Sequence, residues 1–356
     1  MNPRERVLTT LHGGKADRVP KEIQFSPQAA TGPLKEFNLK SDGLSPEEYY
    51  ACEMRRIEIA PTRLKNDYRV YHPDLPDGSR ISEWGVAFAP SSEYGFWHYM
   101  PPMKDFTSVR QVEEYPFPDV AADYRYEEMA VRARKIREAG FAACGFINAH
   151  NYVAAWQLRG QENFMIDMVA NPTMAAAIID RTTEMSCEMV RQLVKAGADI
   201  LFYGEDIASQ NGLIMSPTTW KEWLKDRLKR VIDTAHGENP DAIFVYHSDG
   251  DVTEIIPELV EVGIDVLNPL QPECMDLGKI KDNFGKQIAF WGGVSVQKTI
   301  PFGSPRDVEL EVKERIEILG KDGGYLISPS HFIEQEVSLR NVEAFIDAVD
   351  KYGSYV

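Results

Sequence analysis

The stretch Ala242 to Asp251, AIFVYHSDGD, brings a histidine and two nearby aspartates to one point of the chain. Ile243, Phe244 and Val245 read as a short buried strand that delivers His247, Asp249 and Asp251 at its carboxyl end. Gly250 then breaks the strand, and a helix begins near Val252. Side chains two apart on a strand point the same way, so His247 and Asp249 offer two metal donors on one side. Such a strand end is where α/β folds keep their chemistry. The same residues also read as a turn that holds a histidine and a helix-capping aspartate, because Asp is a favoured cap. Both readings stand at this point.

Several elements would have to position these groups. Pro3 to Leu11 reads as a helix behind an Asn2 cap, ended by Gly13-Gly14. Arg18 to Phe25 reads as the first strand, and Ser45-Pro46 opens another helix. Asp77-Gly78, between YRVYHP and RISEWGVAF, is a hairpin signal. It predicts an aromatic-rich β-hairpin insertion near residues 68–100, with Trp84, Phe88, Tyr94, Phe96, Trp97 and Tyr99, capping one end of the fold.

From residue 142 onward strands and helices alternate. Strands are expected at 142–148, 199–204, 243–247, 264–268, 287–291 and 324–328, with helical stretches between them. Adding the first strand and one around Leu64 to Val70 gives about seven or eight. That count favours an α/β fold of the (β/α)8 TIM-barrel type, one domain over residues 1–356, above an open doubly wound sheet. No GxGxxG follows the first strand, which disfavours dinucleotide binding.

Composition narrows the classes further. The 43% hydrophobic and 26% charged residues describe a soluble globular chain. The formal charge of -16 argues against nucleic acid or an anionic membrane surface as partner. The start MNPRERVLTTLHGG has no apolar core of a signal peptide, and no membrane span is expected. Cys52, Cys144, Cys187 and Cys274 are far apart and show no CxxC spacing, so a reducing cytoplasm is the expected location.

The opening NPRERVLTTLHGGKADRVP, the stretch VTEIIPELVEVGIDVLNPLQPE, the FWGGV that follows and the ending GGYLISPSHFIEQEVSLRNVEAFIDAV resemble the uroporphyrinogen decarboxylase superfamily. The resemblance implies a TIM-type barrel and one of two chemistries. These are cofactor-free decarboxylation of a tetrapyrrole and zinc-dependent methyl transfer involving a corrinoid protein or coenzyme M. The decarboxylases carry an arginine pair after the first strand, in a motif like RQAGR. The matching segment here, QFSPQAATG from Gln24 to Gly32, has no arginine, and Asp67 matches a decarboxylase aspartate only loosely. Arginine supplies the bidentate contacts that substrate carboxylates need.

The methyltransferases instead bind zinc with a His-x-Cys and a Cys in a Pro-Gly-Cys turn. His247 matches their histidine, Asp249 stands at the first cysteine, and His331 of Pro329-Ser330-His331 stands at the second. Both replacements are themselves metal ligands. The resemblance thus implies a zinc site of His247, Asp249 and His331 with one open position. The decarboxylases also have a histidine near the position of His331. Cys274, in LQPECMD, reads either as a further ligand or as a partly buried thiol in a loop.

Glu205 and Asp206 follow a strand and belong at the same mouth. Either reads as a general acid, a ligand, or an aspartate or glutamate that orients a ligand histidine, and Asp206 also reads as a helix cap. Asn148, Tyr152, Gln271 and Trp291 sit at strand ends as candidate substrate contacts. A His-Asp-His set is harder than a thiolate set and leaves the metal a stronger Lewis acid, which suits polarising an ether or hydroxyl oxygen. The expected function is therefore methyl transfer from a methoxylated or methylated small molecule to a corrinoid protein, as in O-demethylases. The chain has no DxHxxG motif, so the corrinoid would come on a separate partner. A tetrapyrrole decarboxylase is the alternative, and a barrel that only binds a ligand is a third reading. A homodimer is left open as the assembly.

Overall fold

The computed structural model describes residues 1–90, 97–147 and 151–355. Among these, seven short strands form one parallel sheet. They are β1 (Met54–Ile57), β2 (Ala142–Ile147), β3 (Ile200–Gly204), β4 (Ile243–His247), β5 (Val266–Leu270), β6 (Ala289–Val294) and β7 (Tyr325–Pro329). Their order in the sheet is their order in the chain, as successive right-handed β-α-β crossovers produce. The sheet is curled into a half-barrel consistent with a TIM-type α/β fold.

Alternation along each strand separates two cores. Leu201, Tyr203, Phe244, Tyr246, Leu267, Phe290 and Tyr325 face the helices. Cys144, Phe146, Ile200, Ile243, Val245, Val266, Ala289, Trp291 and Leu326 face the concave side. The helix Pro3–Leu11 closes the floor of that inner core with Val7 and Leu11, each worth roughly 1.5–3 kcal/mol when fully buried. Asn2 caps this helix in a capping box with Glu5. Arg4 pins the helix to Asp199, whose carboxylate also accepts from the Ala143 amide.

Three expectations need correction. Arg18 to Phe25 is not a regular strand: it makes isolated parallel bridges from Lys21 to Ile327 and from Phe25 to Ile333. Pro20 interrupts it by lacking an amide donor. The strand expected around Leu64 to Val70 lies earlier, at Met54–Ile57, and Asp67 is an exposed cap for the short 3-10 helix Tyr68–Tyr71. Asp77-Gly78 does not join two paired strands. In residues 68–100, Arg80–Ile81 instead pairs antiparallel with Ala87–Pro90, which pairs with Trp97–Met100. Tyr94 and Phe96 lie outside the described residues. No helix among the described residues is long and apolar enough to cross a membrane.

The seam between the 18–25 segment and β1 is held by a side chain. The Glu53 carboxylate is fully buried, accepts from the Lys21 amide at 2.9 Å, and pairs with Arg6 at 3.2 Å and Arg18 at 2.8 Å. Desolvation by burial still outweighs these partners and raises its pKa. Removing the carboxylate leaves a half-buried cation pair and an unpaired amide. Glu53→Ala is expected to lower the unfolding free energy by roughly 3 kcal/mol. Urea denaturation checks this, and a loss under about 1 kcal/mol would show that the seam is held by other contacts.

Candidate functional site

The concave parity that builds the inner core continues past the strand ends and changes character there. After Ile200 and Phe202 come Gly204 and Asp206. After Ile243 and Val245 comes His247, and after Val266 comes Asn268. Polar groups therefore crown an apolar interior at the carboxyl ends of the strands. They line a cavity of ≈ 250 Å³ together with Phe146, Phe202, Trp291, Ser328 and His331. Phe146 and Phe202 are stacked at 4.6 Å, and Trp291 meets Phe202 edge-on at 5.4 Å. One wall of the cavity is thus aromatic.

His247 is the last residue of β4, and its ring rests against Phe202 at 5.2 Å. Its Nδ1 lies 2.6 Å from Oδ1 of Asn268, on the neighbouring strand. Asn268 donates through Nδ2 to the Trp291 carbonyl at 3.1 Å, so Oδ1 is the atom turned toward the imidazole. An amide oxygen only accepts, so Nδ1 carries the proton and Nε2 presents a lone pair to the cavity mouth.

Two carboxylates face that lone pair. Nε2 lies 3.7 Å from Oδ1 of Asp206 and 4.0 Å from Oδ1 of Asp249. Asp206, His247 and Asp249 offer three ligand atoms within 4.8 Å of one another. The loop that carries Asp249 is fixed by backbone geometry. The Asp249 amide donates to Asp206 at 3.1 Å, and the Gly250 amide donates to Gln271 Oε1 at 2.9 Å. Gly250 has φ +84°, and a Cβ there would lie 2.5 Å from the Ser209 carbonyl oxygen, so this turn requires glycine. Asp251 accepts from the Thr253 amide at 2.9 Å, in the turn just before the short 3-10 helix Thr253–Ile255. Asp249 is left to face His247.

The remaining candidates fall at different distances from this cluster. His331 stands at its rim, exposed, with Nε2 3.8 Å from Oδ2 of Asp249. It lies outside the set of three that the structure draws together. Cys274 also lies outside it, where its thiol points to the Gln271 carbonyl at 3.7 Å and burial raises its pKa to about 11. Glu205 has the parity of Tyr203 and is buried on the helix side, accepting from the Tyr152 amide at 2.9 and 3.0 Å. It caps the start of the helix Asn151–Arg159 rather than lining the cavity. Tyr152 is fully buried beside it, and Gln271 is spent on the Gly250 turn. Trp291 lines the cavity. Asn148 lies outside the described residues.

Sequence reasoning passed over Asn268, Glu22, Gln24 and Arg56, all of which line the cavity. Asn268 had a usable signal, since it shares the inward parity of Val266 one strand from His247. Glu22 and Gln24 precede Phe25 in a segment read as an ordinary strand. Arg56 was hidden because β1 was expected elsewhere.

Residues 98–352 match the family model described as uroporphyrinogen decarboxylase (URO-D). The chain is 22% identical over 252 residues to a uroporphyrinogen decarboxylase of Actinobacillus pleuropneumoniae serotype 5b, covering 68% of each chain. It is 24% identical over 192 residues to the methylcobamide:CoM methyltransferase MtaA of Methanosarcina barkeri, covering 54% of this chain and 53% of that one. A solved methyltransferase from Methanosarcina mazei superposes with a TM-score of 0.71 at 20% identity over 99% of both chains, a likeness of fold.

The buried carboxyl of Glu205 gives a pH test. Burial pushes its pKa up to about 8, against the hydrogen bonds from the helix amides that favour the charged form. A raised folded pKa means that the folded state holds more protons than the unfolded state between about pH 4.3 and about pH 8. Stability conferred by the protonated group is therefore lost as pH rises through that window. Glu205→Gln should flatten the decline in unfolding free energy, measured by denaturation at several pH values. An unchanged slope would mean that the helix N-terminus keeps Glu205 ionised throughout.

Proposed function

Because the chain belongs to the uroporphyrinogen decarboxylase family, we propose that it is a zinc-dependent methyltransferase. It moves a methyl group from a methoxylated or methylated small molecule to a corrinoid on a separate protein. The observation that carries this reading is the cluster of Asp206, His247 and Asp249 at the cavity mouth, with the His247 tautomer set by Asn268.

The donor atoms fit a metal better than they fit each other. At 3.7, 4.0 and 3.8 Å, none of the imidazole–carboxylate distances is a hydrogen bond. Donors each about 2.1 Å from one tetrahedral ion lie about 3.4 Å apart, so modest closure suffices. His247, Asp206 and Asp249 would hold the ion, with His331 adjacent to Asp249. Asn268 is the hydrogen-bond partner that a ligating histidine requires at its other nitrogen. A bound zinc supplies Lewis acidity, which polarises an ether or hydroxyl oxygen and activates its methyl carbon. Phe146, Phe202 and Trp291 exclude water from the substrate body and orient it toward the mouth. The relationship to a methylcobamide:CoM methyltransferase supports a corrinoid protein as the partner in the transfer.

Tetrapyrrole decarboxylation is the second reading. Arg56 favours it, as a guanidinium in the cavity that the Gln24 to Gly32 segment does not supply. One guanidinium and a cavity of ≈ 250 Å³ among the described residues are little for a substrate with eight carboxylates. Uroporphyrinogen should therefore be left unchanged on incubation with the protein.

The purified protein should hold about one zinc per chain, and its zinc form should methylate a cobalt(I) corrinoid in a single turnover. His247→Ala and Asp249→Asn should each lose most of the metal and of the transfer. Cys274→Ser should keep both. Asn268→Leu should weaken zinc affinity by roughly 10- to 100-fold through the His247 ring. Full zinc content in both His247→Ala and Asp249→Asn would sink the ligand set, and coproporphyrinogen release would favour the second reading.

A further inference from the structure

A second cavity of ≈ 130 Å³ lies beside the first and shares six of its lining residues: Glu22, Gln24, Arg56, Phe146, Trp291 and Phe332. Asp206 and His247 line only the first, and Glu47, Met54 and Cys144 line only the second. The first cavity thus offers a substrate both the proposed metal donors and, in its aromatic wall, the polar pair Arg56 and Glu22.

Arg56 and Glu22 supply groups that can bind an oxygen acid. Arg56 comes from β1, three strands along the sheet from His247. Its guanidinium carbon lies over the Phe146 ring at 3.8 Å, and its Nε is 3.1 Å from the exposed Glu58. The cation–π contact positions the fork, and its terminal nitrogens pair with no side chain among the described residues. Glu22 is buried, with 8% exposure, and the side chains of Gln24 and Trp291 beside it favour its charged form. The charged groups around it are Arg56 on β1 and Glu47 on the preceding helix, and the thiols of Cys52 and Cys144 pack nearby. Burial and Glu47 push its pKa up to about 7. It therefore stays largely protonated below neutrality and can donate to an incoming anion.

We propose that Arg56 and Glu22 form a carboxylate-recognition subsite. The subsite selects a flat, one-ring substrate whose carboxylate sits between Arg56 and Glu22 while its methyl group faces Asp206, His247 and Asp249. The ring lies along Phe146 and Trp291, where aromatic contacts favour a planar body. The carboxylate takes the free guanidinium nitrogens of Arg56 and a hydrogen bond from the protonated Glu22. The inference rests on the proposed use of this cavity as the methyl-donor site, but its test does not require methyl transfer.

The test is calorimetric titration of the purified protein with three probes: para-methoxybenzoate, methoxybenzene and para-methoxybenzylamine. The acid should bind at least ~10-fold tighter than either of the others. Arg56→Gln should weaken the acid by roughly 10- to 100-fold and leave methoxybenzene unchanged. Arg56→Lys, which keeps the charge but loses the fork, should fall between them. In the wild type, acid affinity should decline from about pH 6 to about pH 8 as Glu22 ionises. Glu22→Gln should bind the acid without that decline. Equal acid affinity in wild type and Arg56→Gln, or tighter binding of the amine than of the acid, would overturn the subsite. If the acid binds as expected but never loses its methyl group, the methyltransferase reading fails and the subsite stands. If a methyl donor without a carboxylate is turned over while the acid does not bind, the reverse holds.

Discussion

The hydrogen bond between His247 and Asn268 is the contact on which the rest of the site depends. It is 2.6 Å long and joins two neighbouring parallel strands at their carboxyl ends. Asn268 cannot turn its amide over without losing the Trp291 carbonyl. One hydrogen-bond chain across three adjacent strands thus decides which imidazole nitrogen faces the cavity. With the opposite tautomer, Nε2 would carry a proton toward Asp206 and Asp249, giving a histidine–carboxylate contact and no ligand set. With this one, a lone pair and two carboxylates converge, and a cation satisfies all three.

The fold supplies this chain through strand parity. Residues that point inward low in the sheet are Ile200, Ile243, Val245, Val266 and Ala289, an apolar column floored by Val7 and Leu11. The same parity two residues on gives Asp206, His247 and Asn268. A one-residue shift in any strand would exchange these for groups that now face the helices. Glu205 shows the consequence directly. It sits next to Asp206, yet its odd parity sends it outward to the amides of the helix Asn151–Arg159.

Much of this was legible from residue types and spacing. His247 and Asp249 at a strand end, the alternating strands after residue 142 and the caps at Asn2 and Ser45 follow from periodicity and turn chemistry. The failures have physical causes. The 18–25 segment has strand-like alternation, but Pro20 lacks an amide donor, and Glu53 substitutes a side-chain carboxylate for a ladder. β1 is only Met54–Ile57, and its two arginines disguise a buried strand. Arg56 tolerates that place because it stacks on Phe146 and reaches the cavity. His331, aligned by motif with a ligand, stands 3.8 Å from Asp249 at the rim, a distance set by the packing of a loop beyond Pro329 that spacing alone cannot give. Asp206, one of the two acids expected at this mouth, joins His247 and Asp249, and its carboxylate accepts from the Asp249 amide.

The proposed metal centre is built from one oriented imidazole and carboxylate oxygens, without sulfur. X-ray absorption spectroscopy at the zinc edge, on protein carrying one zinc per chain, measures this directly. The account predicts a shell of nitrogen and oxygen scatterers at about 2.0–2.2 Å with an imidazole signature, which Asn268→Leu weakens. A sulfur shell at about 2.3 Å would assign Cys274 to the metal and contradict the account.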